Sequence, residues 1–212
     1  EEPREEAVVE SEPAELAAPS DADLENLGIV MDSGKVSNPL LTGQLAVSLW
    51  EYLPATIRIG VGVKWVLRYT PKAHGISLQT LFFNLQGYDE TLLLVQDAEE
   101  HVFGGFAAQP WELSSRFYGS GEAFVFTFGH LAAGAVAAEP SIFTWTSANS
   151  YFMYSDEAGI AMGGGNGRHA LYLASGLLRG CSGPTETFGN PTLAASEEFV
   201  VKDFEIWGFE ED

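Results

Sequence analysis

One cysteine in 212 residues leaves no partner for an internal disulfide, which suits a reducing compartment and predicts a cytoplasmic chain. Bases are scarce as well. Ten Lys and Arg stand against thirty Asp and Glu, a formal net charge of −20. The bases are spread singly, so the sequence argues against a nucleic-acid or anionic-membrane surface and predicts protein or small-molecule partners. No apolar run is long enough to span a bilayer. The amino end has neither the basic region nor the hydrophobic segment of a secretory signal, so no direct membrane insertion is expected.

Apolar material is not lacking: 46% of the residues are hydrophobic and 12% aromatic, enough for a real core. Residues 1–33 differ from the rest, with eleven acids against Arg4 and no aromatic. Such a composition offers little surface to offset its ordering entropy, and the stretch is expected to be a disordered acidic linker or tail. The domain proper is then residues 34–212.

The organising segment is His101 to Phe128. Val102–Phe106 and Ala123–Phe128 have the β-branched and aromatic content of short strands bounded by Gly, Pro or Ser. Alternation puts Phe124, Phe126 and Phe128 on one face, which must be buried. Gly104-Gly105 signals a bulge or a close backbone approach. Upstream, Asn38-Pro39 reads as a helix start, and Leu41, Leu45, Leu49 and Leu53 mark the inward face of one helix ending at Pro54. Strands follow at 64–70 and 91–96, with a helical or mixed segment between them. Residues 129–141 read as a flexible Ala-rich loop. The stretch 142–155 supplies strands around Trp145 and Tyr151, 160–175 reads as strand, glycine turn, strand, and 198–210 is a closing strand. Many short strands with two helical pieces predict a mainly β fold: a two-sheet antiparallel β-sandwich with peripheral helices.

Seven segments resemble the TLDc domain of the oxidation-resistance proteins: 74–81 (HGISLQTL), 102–111 (VFGGFAAQPW), 117–128 (FYGSGEAFVFTF), 143–149 (FTWTSAN), 161–173 (AMGGGNGRHALYL), 187–193 (TFGNPTL) and 204–210 (FEIWGFE). They occur in the family's order. The resemblance implies the same helix-flanked sandwich and a role in resistance to oxidative stress. It also implies a non-enzymatic domain that binds and regulates the vacuolar-type proton ATPase through its peripheral sector. Such a protein would be a cytoplasmic monomer recruited to endolysosomal or vacuolar membranes by that partner. The alternatives are a scaffold domain of a larger trafficking or calcium-linked protein, and a weak redox or hydrolytic enzyme. Two features depart from the family pattern: the enlarged loop 129–141, and Thr185 where family members commonly carry a cysteine.

Chemistry has few candidates. His74 with Glu122 or Glu205 could form an acid–base pair, although histidine with a carboxylate is also a common structural pair. His101, His130 and His169 lack paired ligand spacing and one cysteine cannot complete a zinc set, so neither metal nor cofactor is expected. Gly163-Gly164-Gly165-Asn166-Gly167 lacks the Lys and the helix of a phosphate loop and reads as a turn needing positive φ, free to join a binding surface. Trp111, beside Pro110 in a loop, is a candidate partner anchor. Cys181 reads as a loop-borne, incidental thiol.

Overall fold

The computed structural model describes residues 21–59, 63–131 and 139–210. Two β-sheets pack face to face, and a helical layer covers the outer face of the first. The first sheet runs β1 (Val30–Asp32), β2 (Lys64–Tyr69), β12 (Glu198–Glu210), β3 (Thr91–Asp97), β4 (His101–Ala107), β6 (Phe124–His130), β7 (Ser141–Phe143). In the second, β5 (Ser114–Tyr118) is followed by β8 (Met153–Asp156), β9 (Gly159–Met162), β10 (Leu171–Ala174), β11 (Arg179–Cys181) and the start of β12. Pairing is antiparallel throughout except between β1 and β2. The two-sheet sandwich expected from the sequence is therefore the fold.

Strand β12 joins the sheets. Its first residues pair with β11 and its remainder lies between β3 and β2, with a register shift between Val201 and Asp203 against β3. An extra residue of this kind bends a strand and raises its twist, letting one thirteen-residue strand serve two layers.

The middle of the first sheet explains why its strands read as continuous apolar runs. On β3, Leu93 and Val95 face the second sheet while Leu92 and Leu94 face the helices, and all four are at most 1% exposed. With both faces buried there is no polar side to alternate with. Phe124, Phe126 and Phe128 share one face as expected, and that face is the helix-covered one. At Gly105 a β-carbon would lie 2.6 Å from Met162 Sδ of the opposite sheet and 2.9 Å from the Phe124 carbonyl oxygen, so the backbone approach excludes any side chain.

The helical layer is α1 (Asp21–Leu27), α2 (Gly43–Trp50) and α3 (Ala55–Ile59); α4 (Pro71–His74) and α5 (Leu78–Asn84) follow β2. Leu41, Leu45, Leu49 and Leu53 are all buried, as their spacing predicts. The helix they mark is shorter than expected. Asn38 has φ 57° and is not the cap. Thr42 caps instead, its Oγ1 accepting the Leu45 N–H at 3.3 Å. The chain at residues 38–41 runs through bends against β12, where the amides of residues 40 and 41 find another acceptor, described below.

Three further expectations are corrected. Residues 21–33 are not a free tail: α1 packs on α2, Ile29 is 5% exposed, and β1 pairs with β2. Leu24 and Leu27 supply an apolar face that the composition of the stretch does not announce. Trp145 and Tyr151 lie in the connection between β7 and β8 and not in strands. The sequence reading also passed over β5, whose SSRFY has no apolar alternation because it edges the second sheet. The earlier acidic residues and most of the Ala-rich loop lie outside the described residues. No helix among those described is long and apolar enough to cross a membrane.

Candidate functional site

Three of the seven segments meet at one end of the second sheet. The connection between β9 and β10 carries the glycine run, with Gly163 at φ +71°, Gly165 at +120°, Asn166 at 54° and Gly167 at +70°. Positive φ is therefore required, as expected, although the connection spans 163–170 and is no minimal turn. Gly163 and Gly164 are buried, while Asn166 and Gly167 are exposed. A β-carbon on Gly163 would lie 2.8 Å from Ala170 Cβ and 2.9 Å from Phe188 Cδ2.

Thr187 ties the three segments together. Its hydroxyl accepts the Gly164 N–H at 3.0 Å and donates to Asn149 Oδ1 at 2.6 Å. Thr146 donates its amide to the Thr187 carbonyl (2.9 Å) and its hydroxyl to the Glu186 carbonyl (2.6 Å). His169 Nδ1 lies 3.1 Å from the Gly163 carbonyl oxygen.

An aromatic surface stands on this scaffold. Phe117 stacks on Tyr151 with centroids 4.6 Å apart and lies 5.4 Å from Tyr154, and His169 stacks on Tyr172 at 5.7 Å. Trp145, whose Nε1 donates to the Asn149 carbonyl at 2.7 Å, is 42% exposed, and Tyr151 is 43% exposed. Sequence reasoning named the glycines and missed these rings. The available signal was the density of aromatics in FYGSG, FTWT and SYFMY.

The candidate acid–base pair is not assembled. His74 ends α4, where its Nδ1 accepts the Thr70 N–H at 3.1 Å and its ring stacks on Tyr69. Glu205 is fully buried on β12; Oε1 accepts from Leu40 N (2.7 Å), and Oε2 accepts from Leu41 N (3.0 Å) and Trp207 Nε1 (2.9 Å). Burial pushes its carboxyl above the ordinary glutamate range, with the three N–H donors pulling back against that rise. The chain before α2 is thus strapped to the central strand by one carboxylate. Tyr69 packs in the core between the sheets, whereas Trp207, on the same face of β12 as Glu205, packs in the core under the helices. Glu122 is exposed in the turn before β6 and faces Glu90, whose carboxyl is raised by burial and then by that neighbouring charge.

Trp111 is core and not an exposed anchor: it is 6% exposed and its Nε1 donates to Thr91 Oγ1 at 2.9 Å. Indole N–H groups that are buried need such a partner, and the buried Thr91 supplies it.

A family model for the TLDc domain matches residues 34–210. The chain belongs to the TLDc domain family. Oxidation resistance protein 1 of Homo sapiens is 39% identical over 190 residues, covering 89% of this chain and 20% of that protein. The Bos taurus protein of the same name is 39% identical over 194 residues, 91% of this chain and 21% of the relative. Nuclear receptor coactivator 7 of Homo sapiens is 36% identical over 173 residues, 81% and 17% respectively. The chain thus spans about a fifth of the length of these relatives.

This TLDc domain carries Thr185 buried, its hydroxyl donating to Asn190 Oδ1 at 2.6 Å, so the position serves the loop's hydrogen bonding and offers no thiol. Cys181 lies in β11 and not in a loop. It is half-buried, and burial, followed by the charges of Glu198 and Glu197, raises its pKa. A raised thiol is less nucleophilic at neutral pH. Among the described residues no group of three His, Cys, Asp or Glu side chains is placed to hold a metal ion.

Proposed function

We propose that this TLDc domain is a protein-binding module of the oxidative-stress response, docking on the peripheral sector of the vacuolar-type proton ATPase through the loops around Gly163–Gly167. The observation that carries the reading is the exposed pair Trp145 and Tyr151, standing on loops locked by the Thr187 hydrogen bonds. Large aromatic rings held in fixed positions lose little entropy when a partner covers them, which is how binding anchors work. The name of the oxidation-resistance relatives supports the oxidative-stress context, and the pump as partner is what the resemblance to the TLDc family implies. The role is regulatory and non-enzymatic, and the domain acts as a cytoplasmic monomer recruited to vacuolar or endolysosomal membranes by its partner.

The test is size-exclusion co-elution of the full chain with the purified peripheral sector of a vacuolar proton pump, in the presence of ATP. The chain is expected in the complex peak, and the double variant Trp145→Ala, Tyr151→Ala is expected to leave it while still folding cooperatively, with a melt lowered by the lost ring contacts. A folded parent chain that stays out of the complex overturns the pump as partner and favours a scaffold domain with another target.

A further inference from the structure

Away from the glycine loops, a groove of ≈730 Å³ opens between α5 and the connections β4–β5 and β8–β9. Phe82 and Phe83 of α5 line it together with Leu113 and the buried Trp111. Phe83 is 70% and Leu113 63% exposed, so two large apolar side chains at its mouth have no cover. The charged side chains lining it are Glu112, Asp156 and Glu157; none of them joins an ion pair among the described residues, although the Asp156 carboxylate accepts from the Tyr154 hydroxyl and the Ala158 and Gly159 amides.

We propose that this groove receives an amphipathic helix from a basic partner protein, its apolar face against Phe83 and Leu113 and its lysines or arginines against Glu112, Asp156 and Glu157. The charge of the site selects among occupants. Residues 1–20 of this chain carry seven glutamates and one arginine, and a second copy brings a net charge of −20, so both are repelled by an acidic rim. A basic segment is attracted to it. The walls are side chains of a helix and of loops, which suits side-chain knobs from an inserted helix. Strand addition would need a free strand edge. The free edge of the second sheet is β5, which begins after Leu113 and contributes no residue to the lining, and Asp156 sits on β8, already flanked by β5 and β9. The site is separate from the loops around Gly163–Gly167 and does not depend on the pump being the partner.

The experiment is fluorescence anisotropy with the full chain and three synthetic peptides of roughly 14 residues, about four helical turns. One has leucines at i, i+3, i+4 and i+7 with lysines elsewhere. The second replaces its lysines by glutamates, and the third scrambles the lysine peptide so that the leucines no longer share a face. The lysine helix should bind about tenfold tighter than either control, a difference that anisotropy resolves readily. Phe83→Asp and Leu113→Asp should each weaken it by about tenfold, and the double variant Glu112→Lys, Glu157→Lys by a similar factor. Because Phe83 and Leu113 are exposed, circular dichroism melts of the two single variants should match the parent. Equal binding of the scrambled peptide, or unchanged binding to Phe83→Asp and Leu113→Asp, would show general attraction to an acidic chain and overturn the proposal. Sedimentation showing a dimer abolished by Phe83→Asp would overturn it too, by assigning the groove to a second copy.

Discussion

The loop surface and the α5 groove are built on opposite principles. Around Gly163–Gly167 the polar atoms are spent internally: Thr187 alone links Gly164 and Asn149, and Thr146 reaches both Glu186 and Thr187. Around Phe83 and Leu113 the apolar atoms are left unspent. The first region carries the family motifs and the second carries few of them, its main overlap being Trp111 and the end of the 74–81 segment. Recognisable motifs here mark places where the backbone must be held in a demanding shape. A shape-holding residue and a partner-touching residue therefore answer to different tests, and substitutions can separate them.

Glu205 gives the largest expected effect, because it lies in the motif FEIWGFE yet touches nothing outside the fold. Glu205→Ala leaves three N–H donors without an acceptor, at about 1–3 kcal/mol each where buried, partly offset by removing a desolvated carboxylate. A loss of about 3–5 kcal/mol in denaturant unfolding is expected. The pH dependence has a definite sign. The folded carboxyl is raised above its unfolded value, so between the two values the folded state keeps a proton that the unfolded state has lost. Unfolding then releases a proton, and stability falls as pH rises through that window. Glu205→Gln should remove this component. A wild-type minus Glu205→Gln difference that grows with rising pH there would reverse the assignment.

Next come the loops. Gly163→Ala must place a side chain at φ +71°, which costs about 1–2 kcal/mol, and also crowds Ala170 and Phe188, which adds about 1–3 kcal/mol. Thr187→Val keeps the shape and strands the buried Gly164 amide, at about 1–3 kcal/mol. Both are read as shifts in the denaturation midpoint. Unchanged stability together with lost co-elution would move these two residues from scaffold to contact surface and erase the contrast drawn above.

How far the sequence discloses these arrangements depends on the range of the interaction. Strand β12 coincides with the segment EFVVKDFEIWGFE, and the three phenylalanines of β6 share a face, because both follow from local alternation. The helix starts at Gly43 and not at Asn38-Pro39, a good local signal overruled from afar. The amides of Leu40 and Leu41 bond to Glu205, 165 and 164 residues away. Glu205 enters the sequence reading only as a carboxylate that could pair with His74, because an acceptor for amides so far away in the chain leaves no local signal. The strand β5 was missed because at a sheet edge SSRFY needs little apolar patterning. The aromatic stack of Phe117, Tyr151 and Tyr154 draws on two separate stretches, and neither fixes the contact by itself.

The smallest expected effect completes the comparison. Phe83→Ser and Leu113→Ser remove apolar surface that is already mostly in water, so neither loses a packed contact nor strands a polar group. Substitutions of this kind lie within about ±0.5 kcal/mol of the parent. Removing exposed hydrophobic surface should also raise solubility slightly, since uncovered apolar residues favour association. The measurement is a paired one, a chemical melt and a concentration series by light scattering. If either substitution costs more than about 1 kcal/mol, the side chain is supporting α5 or the β4–β5 connection, and its exposure reflects architecture and not vacancy. A null effect on stability joined to a large effect on peptide binding would place Phe83 and Leu113 on the other side of the division from Glu205: residues that no motif singles out, retained for contact with something outside the chain.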